Sequence, residues 1–306
     1  LWIVYLVWGS TYVAIKIAVR TIPPLLAAGT RFVAAAAVLA TVLTLLGRPL
    51  RVTRREALSA AVVGLALLTF GVGLVHVAET RIDSSVAAMI AGSVPLQVVL
   101  WRTLAHQRVP RTTVIAAGVG LVGLGLVVLP GGIGDGTAAV GLLIMIVASL
   151  SWSRGSFATA KLTLPSDPFV ATTIEMLVGG VALLVVAGAV GEWGDVGRGT
   201  FELGPLLAWL YLALAGSVIG FSAYVWLLDN APISQVVTHQ YVNPLVAVGL
   251  GALLLDERPS LATLAGAALI VGAVVVTVRQ ESRSASEARA RRASGATPGT
   301  PADRTV

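Results

Sequence analysis

A few charged and titratable side chains interrupt otherwise apolar stretches of this chain. Lys16, Arg31, Arg154, Glu175 and His239 each lie within one of the predominantly apolar stretches of the chain. A charge in such surroundings costs several kcal/mol unless it is paired or faces water. These five residues are therefore candidates for binding a charged solute, for carrying a proton or for forming a structural ion pair.

Polar residues near these charges recur at helical spacing in two stretches: Trp8, Tyr12 and Lys16 in one, and Gln235, His239 and Asn243 in the other. Residues four apart share one face of a helix. We interpret both faces, together with Arg31, as substrate-binding. Other interpretations stay open: the aromatic pair can be ordinary packing or an interfacial belt, and Lys16 can snorkel outward. Arg31 faces a cavity or forms a structural pair with Glu79.

Four residues are candidates for coupling or gating. Arg154 and Glu175 either form an internal ion pair that locks helix packing or take part in gating or proton transfer. Pro95 and Pro244 each fall in the middle of an apolar stretch, where proline frees a carbonyl group and permits a kink. The kinks serve as hinges or as fixed features of packing.

His239 can titrate near neutral pH, so it either contacts the substrate or couples protons, or else makes an interhelical hydrogen bond. His76, near the end of its apolar stretch, is interpreted as interfacial.

The composition requires a membrane. Hydrophobic residues make up 56% of the 306 and charged residues 12%, with a mean hydropathy of +0.89. Such a chain has too little polar surface for a soluble globule, and its apolar blocks have the length of about 20 residues that spans a bilayer. We predict an all-α integral membrane protein with ten spans, at residues 1–19, 25–46, 57–77, 84–105, 112–130, 138–160, 168–190, 204–228, 233–255 and 260–278.

Basic residues concentrate in alternate loops and in the C-terminal tail. The positive-inside rule therefore predicts a bacterial cytoplasmic membrane protein with both termini in the cytoplasm. Because the chain opens at Leu1 within an apolar run, we also expect a preceding segment.

The sequence also carries an internal repeat. A shift of 149 positions places Pro95 on Pro244, Pro110 on Pro259 and Gly123 on Gly272. We predict a first five-helix repeat at 1–132, a second at 133–279, and a disordered basic tail at 280–306. Because five is odd, the second repeat enters the membrane from the opposite side, which favours alternating access.

Several short motifs resemble those of the EamA-type transporters of the drug/metabolite transporter superfamily. They are Trp8-Gly9-Ser10-Thr11-Tyr12, Ile22-Pro23-Pro24, Gly29-Thr30-Arg31-Phe32, Asn243-Pro244 and Asp256-Glu257-Arg258. The resemblance implies ten helices in two repeats, cytoplasmic termini, and export of metabolites or small amphipathic compounds. The first repeat departs from it at His106-Gln107-Arg108, where such proteins often carry an acid that corresponds to Glu257 of the second repeat.

The sequence predicts a secondary exporter of a small solute, with or without proton coupling. The absence of cysteine and of the Walker A, HExxH and GxSxG patterns argues against ATP coupling within this chain and against enzymatic chemistry, and we expect no cofactor and no metal. The alternatives are an intramembrane lipid-modifying enzyme and a scaffold or lipid-translocating subunit.

The basic residues form no stripe with aromatics, so nucleic acid is not an expected partner. Gly216 and Gly220 offer a small-residue face for packing or for a homodimer.

Overall fold

The computed structural model describes residues 1–107, 109–132, 136–159, 161–231, 233–236 and 238–293. Throughout these residues every regular element is helical, since a helix satisfies its own backbone groups where water is scarce. We number the main helices α1 (Trp2–Ala18), α2 (Pro24–Leu45), α3 (Arg54–Glu79), α4 (Ser84–Leu104), α5 (Arg111–Gly132), α6 (Gly136–Thr159), α7 (Pro168–Ala189), α8 (residues 203–230), α9 (His239–Leu254) and α10 (Leu261–Ala293). Shorter helical turns occupy Glu192–Asp195, Arg198–Phe201 and Ile233–Val236.

Eight of the described helices, α2 to α8 and α10, are long and apolar enough to cross a bilayer. Large apolar side chains such as Leu143, Val185 and Leu253 are 62%, 67% and 79% exposed, as expected for a surface against lipid. α1 is apolar but has 17 residues, and α9 has 16. The all-helical membrane fold is confirmed, whereas the ten-span inverted arrangement stays a prediction.

Two helices contain a wide π-helical segment near their middle. In α3 the segment is Leu65–Gly73, and in α8 it is Leu212–Ile219. Such segments change the hydrogen-bond register of a helix and occur frequently at functional sites. Ser217 illustrates the effect, because its Oγ donates to the carbonyl of Leu212, five residues earlier, at 3.1 Å.

Glycines bring helices from the two halves of the chain into backbone contact. α2 packs along α7, α4 along α9 and α5 along α10. A Cβ atom at Gly29 would lie 3.1 Å from the carbonyl oxygen of Gly180, and one at Gly180 would lie 3.0 Å from that of Gly29. Gly123 and Gly266 make a similar crossing between α5 and α10. The small residues therefore set these interhelical distances.

Pro95 lies in α4 and Pro244 in α9, and the first part of α4 packs against α9. The helical pattern of α4 breaks at Ser93, between Ser84–Gly92 and Val94–Leu104, so Pro95 stands near the start of the second part. Pro244 lies inside α9, and its ring fits against Gly92, where a Cβ atom would come within 2.7 Å of its Cγ.

The last helix continues to Ala293, so the structure differs over residues 280–293 from the disordered tail expected there. Ala, Glu and Arg dominate this stretch, and they are good helix formers. Residues 294–306 of the predicted tail lie outside the described residues.

The crossing of α5 and α10 predicts that an added methyl group at Gly123 destabilises the protein. In Gly123→Ala the new Cβ would lie 2.7 Å from the carbonyl oxygen of Gly266, so the helices must separate. We expect a loss of about 1–3 kcal/mol, seen as a lower thermal unfolding midpoint in detergent. Gly118→Ala on the same helix is the matched control, since nothing lies within 4 Å of its Cβ. Equal midpoints for the two variants would contradict the crossing.

Candidate functional site

A cavity of about 170 Å³ lies among the helices. Its volume is close to the roughly 150 Å³ of an engineered protein cavity that admits benzene, so a solute about the size of one ring fits it. Most of the wall is apolar. The polar and aromatic side chains that line it are Trp8, Thr11, Tyr12, Arg31, Phe32, Ser149, Trp152, Phe221, His239, Gln240 and Asn243.

Arg31 supplies the positive charge of the cavity wall. It is 4% exposed, and its Nε donates to Ser217 Oγ at 2.9 Å. Its guanidinium carbon lies 5.0 Å from the centre of the Phe32 ring, and Nη1 is buried without a hydrogen-bond partner. None of the described carboxylates forms an ion pair with it. A buried cation with an unused donor favours an anionic partner from the cavity.

An aromatic cluster, formed by Trp8, Phe221, Tyr224 and His239, closes another part of the wall. The Trp8 ring centre lies 5.2 Å from that of Phe221, 5.1 Å from that of Tyr224 and 5.2 Å from that of His239. Trp8 Nε1 donates to the carbonyl of Gly216 at 3.2 Å. The missing side chain of Gly220 leaves room for the indole, because a Cβ atom there would lie 2.5 Å from Nε1. The cluster offers an apolar, polarisable surface for a ring or an alkyl group.

His239 is oriented by the short helical turn that precedes α9. Its Nδ1 lies 2.8 Å from the carbonyl oxygen of Val236. A carbonyl oxygen only accepts, so Nδ1 carries the hydrogen, and in the neutral ring Nε2 is left as an acceptor. The ring can therefore accept a hydrogen bond from a bound solute or from a proton donor.

Three charged side chains hold together one end of the bundle. This end is formed by residues 19–23, 80–83, 190–202 and 255–260, and we call it the tied end. Lys16 Nζ donates to the carbonyl oxygens of Glu79 and Ile82, both at 2.7 Å. A positive charge at the carbonyl end of a helix is favourable, as is a negative charge at the amide end.

Glu257 and Glu192 make the other two ties, and both join the two halves of the chain. Glu257 accepts from Ser84 N and Oγ and from Ser85 N at 2.7–2.9 Å, at the start of α4. Glu192 accepts from Leu25 N at 3.2 Å and from Leu26 N at 2.9 Å, at the start of α2. Burial works to raise the pKa of Glu257, but the hydrogen bonds from Ser84 and Ser85 outweigh it and lower the pKa below 4.5.

The structure brings five of the seven predicted substrate-binding residues to the cavity wall: Trp8, Tyr12, Arg31, His239 and Asn243. Lys16 instead binds backbone carbonyls at the tied end, and Gln235 is exposed. Among the predicted gating residues, Pro244 lines the cavity. Arg154 is exposed, with its guanidinium 5.6 Å from the Phe157 ring centre, and makes no ion pair with the half-buried Glu175.

Comparison with known proteins decides the family. The profile of the EamA-like transporter family matches the chain twice, over residues 1–129 and 139–279. The chain belongs to the EamA-like transporter family. Membership confirms the resemblance of its motifs to the drug/metabolite transporter superfamily.

The EamA relatives with given names are mostly transporters. The chain is 36% identical over 277 residues to the uncharacterised inner membrane transporter YedA of Escherichia coli K12, over 90% of this chain and 88% of YedA. It is 26% identical to the uncharacterised transporter YoaV of Bacillus subtilis, over 87% of this chain and 91% of YoaV. A chloroplastic WAT1-related protein of Arabidopsis thaliana is also 26% identical, over 87% of this chain and 66% of that protein.

A protein of known crystal structure has a similar fold. It superimposes with a TM-score of 0.61 and 21% sequence identity, over 90% of this chain and 94% of the other. At this identity the likeness concerns the fold alone.

Sequence reasoning missed the environment of α3 and the acids of the tied end. His76 is fully buried rather than interfacial, and Glu79 is fully buried and makes no pair with Arg31. Glu257 was noticed only through its family motif, and Glu192 was not singled out. Apart from the Ser84 hydroxyl, their partners are backbone amides, which no side-chain pattern reveals.

The tie at Glu257 predicts a pH-dependent stability. We expect Glu257→Gln to lower the free energy of unfolding by about 1–3 kcal/mol near neutral pH, because a charged acceptor of three hydrogen bonds is lost. Since the folded-state pKa lies below 4.5, this contribution is present above that pH and disappears as the pH falls through the folded-state value. Thermal unfolding across pH measures it, with Glu202→Gln as an exposed control. If the difference in unfolding free energy between Glu257→Gln and wild type does not shrink in acid, the charge of Glu257 is not its cause.

Proposed function

We propose that this chain is a secondary transporter that exports small metabolites across the bacterial cytoplasmic membrane by alternating access. The observation that carries the proposal is the central cavity, which combines a buried, unpaired cation with an aromatic cluster. Family membership and the transporter relatives support the general activity. The cytoplasmic placement of both termini, which follows from the basic loops, puts the tied end on the outside.

Alternating access draws support from the way the two halves pack. The cavity is lined by α1 to α4 from the first half of the chain and by α6, α8 and α9 from the second half. Both π-helical segments contribute to its surroundings, since Gly71 and Val72 lie in one and Gly216 in the other. Two oppositely inserted halves of this kind exchange conformations about a fixed central site.

The cavity favours small organic carboxylates with an apolar body. The carboxylate would accept hydrogen bonds from Arg31 and neutralise its charge, while the apolar part packs on Trp8 and Phe221. A cationic solute would add a second positive charge to the same wall. Exchange of the carboxylate for a proton from outside would move positive charge inward in both steps, so the proton gradient would drive export, and His239 is a cavity residue able to exchange a proton.

Binding followed by transport tests the proposed function. We expect some members of a panel of organic carboxylates, amino acids, purines, sugars and cationic drugs to raise the thermal unfolding midpoint of the purified protein. Each stabilising compound should then show counterflow in liposomes that contain the protein. Ligands that stabilise the protein without any counterflow would point to a binding or scaffold role and would overturn the proposal.

Arg31 gives the sharper prediction, on solute charge. Arg31→Ala should weaken binding of benzoate by about 10-fold or more and leave binding of benzylamine unchanged or stronger, because a charged hydrogen bond of roughly 1.5–3 kcal/mol is removed. Arg31→Lys keeps the charge and should retain part of the affinity for benzoate. Thermal shift titrations of the three proteins measure the effect. Equal losses for both probes in Arg31→Ala would assign Arg31 to folding instead.

A further inference from the structure

The carboxyl group of Glu79 is the least satisfied acid in the described part of the chain. Glu79 is the last residue of α3, and its side chain is 0% exposed. Both Oε1 and Oε2 are buried without a hydrogen-bond partner. Among the described residues, no other carboxyl group has both oxygens in this condition. Ala78, its neighbour in sequence, and Ala18 near the end of α1 are also 0% exposed.

An ionised carboxylate does not suit this place. Burial of a charge without hydrogen bonds costs much more than burial of the neutral acid. The nearest cation, Lys16, directs its ammonium at the backbone carbonyls of Glu79 and Ile82 and not at the carboxyl oxygens. The Glu257 carboxylate adds repulsion from the neighbouring loop. With the tied end closed, the geometry fits a protonated side chain.

The charged and titratable groups around Glu79 come from α1, α2, α3 and the loops after α3 and α9. Tyr12 and Lys16 on α1 and Glu257 after α9 interact with Glu79 directly. Asp83 interacts with both Glu257 and Lys16. His76 precedes Glu79 on α3 and interacts with Arg31 on α2. From α6 no such group faces Glu79, because the one charged residue of that helix, Arg154, lies near its far end and is exposed.

Two other buried polar atoms without partners belong to His76, on the same helix as Glu79, and to Arg31, which lines the cavity. His76 and Glu79 are three residues apart and therefore share a face of α3. His76 Nδ1 donates to the Val72 carbonyl at 2.8 Å, which leaves Nε2 as an acceptor, and this atom is buried without a partner, as is Nη1 of Arg31. Buried polar groups in this condition are the usual partners of internal water. Water bound at these atoms would give a proton a route from Glu79 past His76 toward the cavity.

We propose that Glu79 is the proton-binding site that couples transport to the proton gradient, an inference that rests on the proposed function. With the tied end open, water and the Lys16 ammonium reach the carboxylate, which takes one proton from the outside. Closure of the tied end buries the neutral acid. When the cavity opens at the opposite end, the O–H bond breaks and the proton leaves past His76 for the cytoplasm. One proton enters for each solute exported.

Infrared spectroscopy tests the protonation without a known solute. The purified full chain should show the C=O stretch of a protonated carboxylic acid near neutral pH, and Glu79→Gln should remove it. Glu202→Gln makes the same chemical change at an exposed acid and should keep the band. Glu79→Asp retains an acid and should show a shifted band, which separates proton binding from misfolding. A band that persists unchanged in Glu79→Gln would overturn the proposal.

Transport tests the coupling. With a carboxylate that shows counterflow, such as benzoate, wild type should build up a solute gradient when a proton gradient is imposed. Glu79→Gln should retain counterflow and lose the gradient-driven accumulation. Accumulation by Glu79→Gln equal to wild type, or wild-type accumulation that does not respond to the proton gradient, would refute the proton site. An absence of wild-type counterflow for every ligand would instead refute the proposed function, and the infrared result would stand apart from it.

Discussion

The structure depends on one constraint: backbone groups at helix ends need partners wherever water is scarce. A helix leaves its first amides and its last carbonyls without partners inside the helix. Glu192 and Glu257 accept from such amides at the starts of α2 and α4, and Lys16 donates to such carbonyls at the end of α3. Charges of the side chains and partial charges of the helix ends thus stabilise each other, and two of these contacts also join the halves of the chain.

The same constraint explains why the cavity lies where it does. A π-helical segment alters the hydrogen-bond register and leaves backbone and hydroxyl groups to be satisfied by other partners. In α8, Ser217 satisfies one such carbonyl and at the same time accepts from Arg31, which positions the cation. Glycines on the same helix then admit Trp8 and Arg31 to the wall. Backbone irregularity and small residues together create a polar site within an apolar bundle.

The sequence predicted much of this fold because membrane helices are specified by length and polarity, which are local properties. Arg31 and His239 could be placed near a cavity because a buried charge and a titratable ring stand out among aliphatic residues. The ties could not be predicted, since they depend on the three-dimensional approach of a loop acid to a main-chain amide. Lys16 is an example. The sequence shows its charge and its depth in the apolar stretch, but not the backbone carbonyl groups to which it donates. For His76, position near a helix end suggested an interface, whereas packing against neighbouring helices removed it from solvent.

The contact of Glu192 with main-chain amides has a consequence for mutagenesis. The acceptors belong to one side chain, but the donors at Leu25 and Leu26 belong to the polypeptide backbone, which nearly every substitution preserves. Alanine scanning along the start of α2 therefore leaves the tie intact. A proline at either position would remove one of the donor N–H groups, and its effect on stability would reveal the contact. The donors of this contact are present with any residue other than proline at positions 25 and 26. Substitutions that accumulate there during evolution therefore preserve the contact.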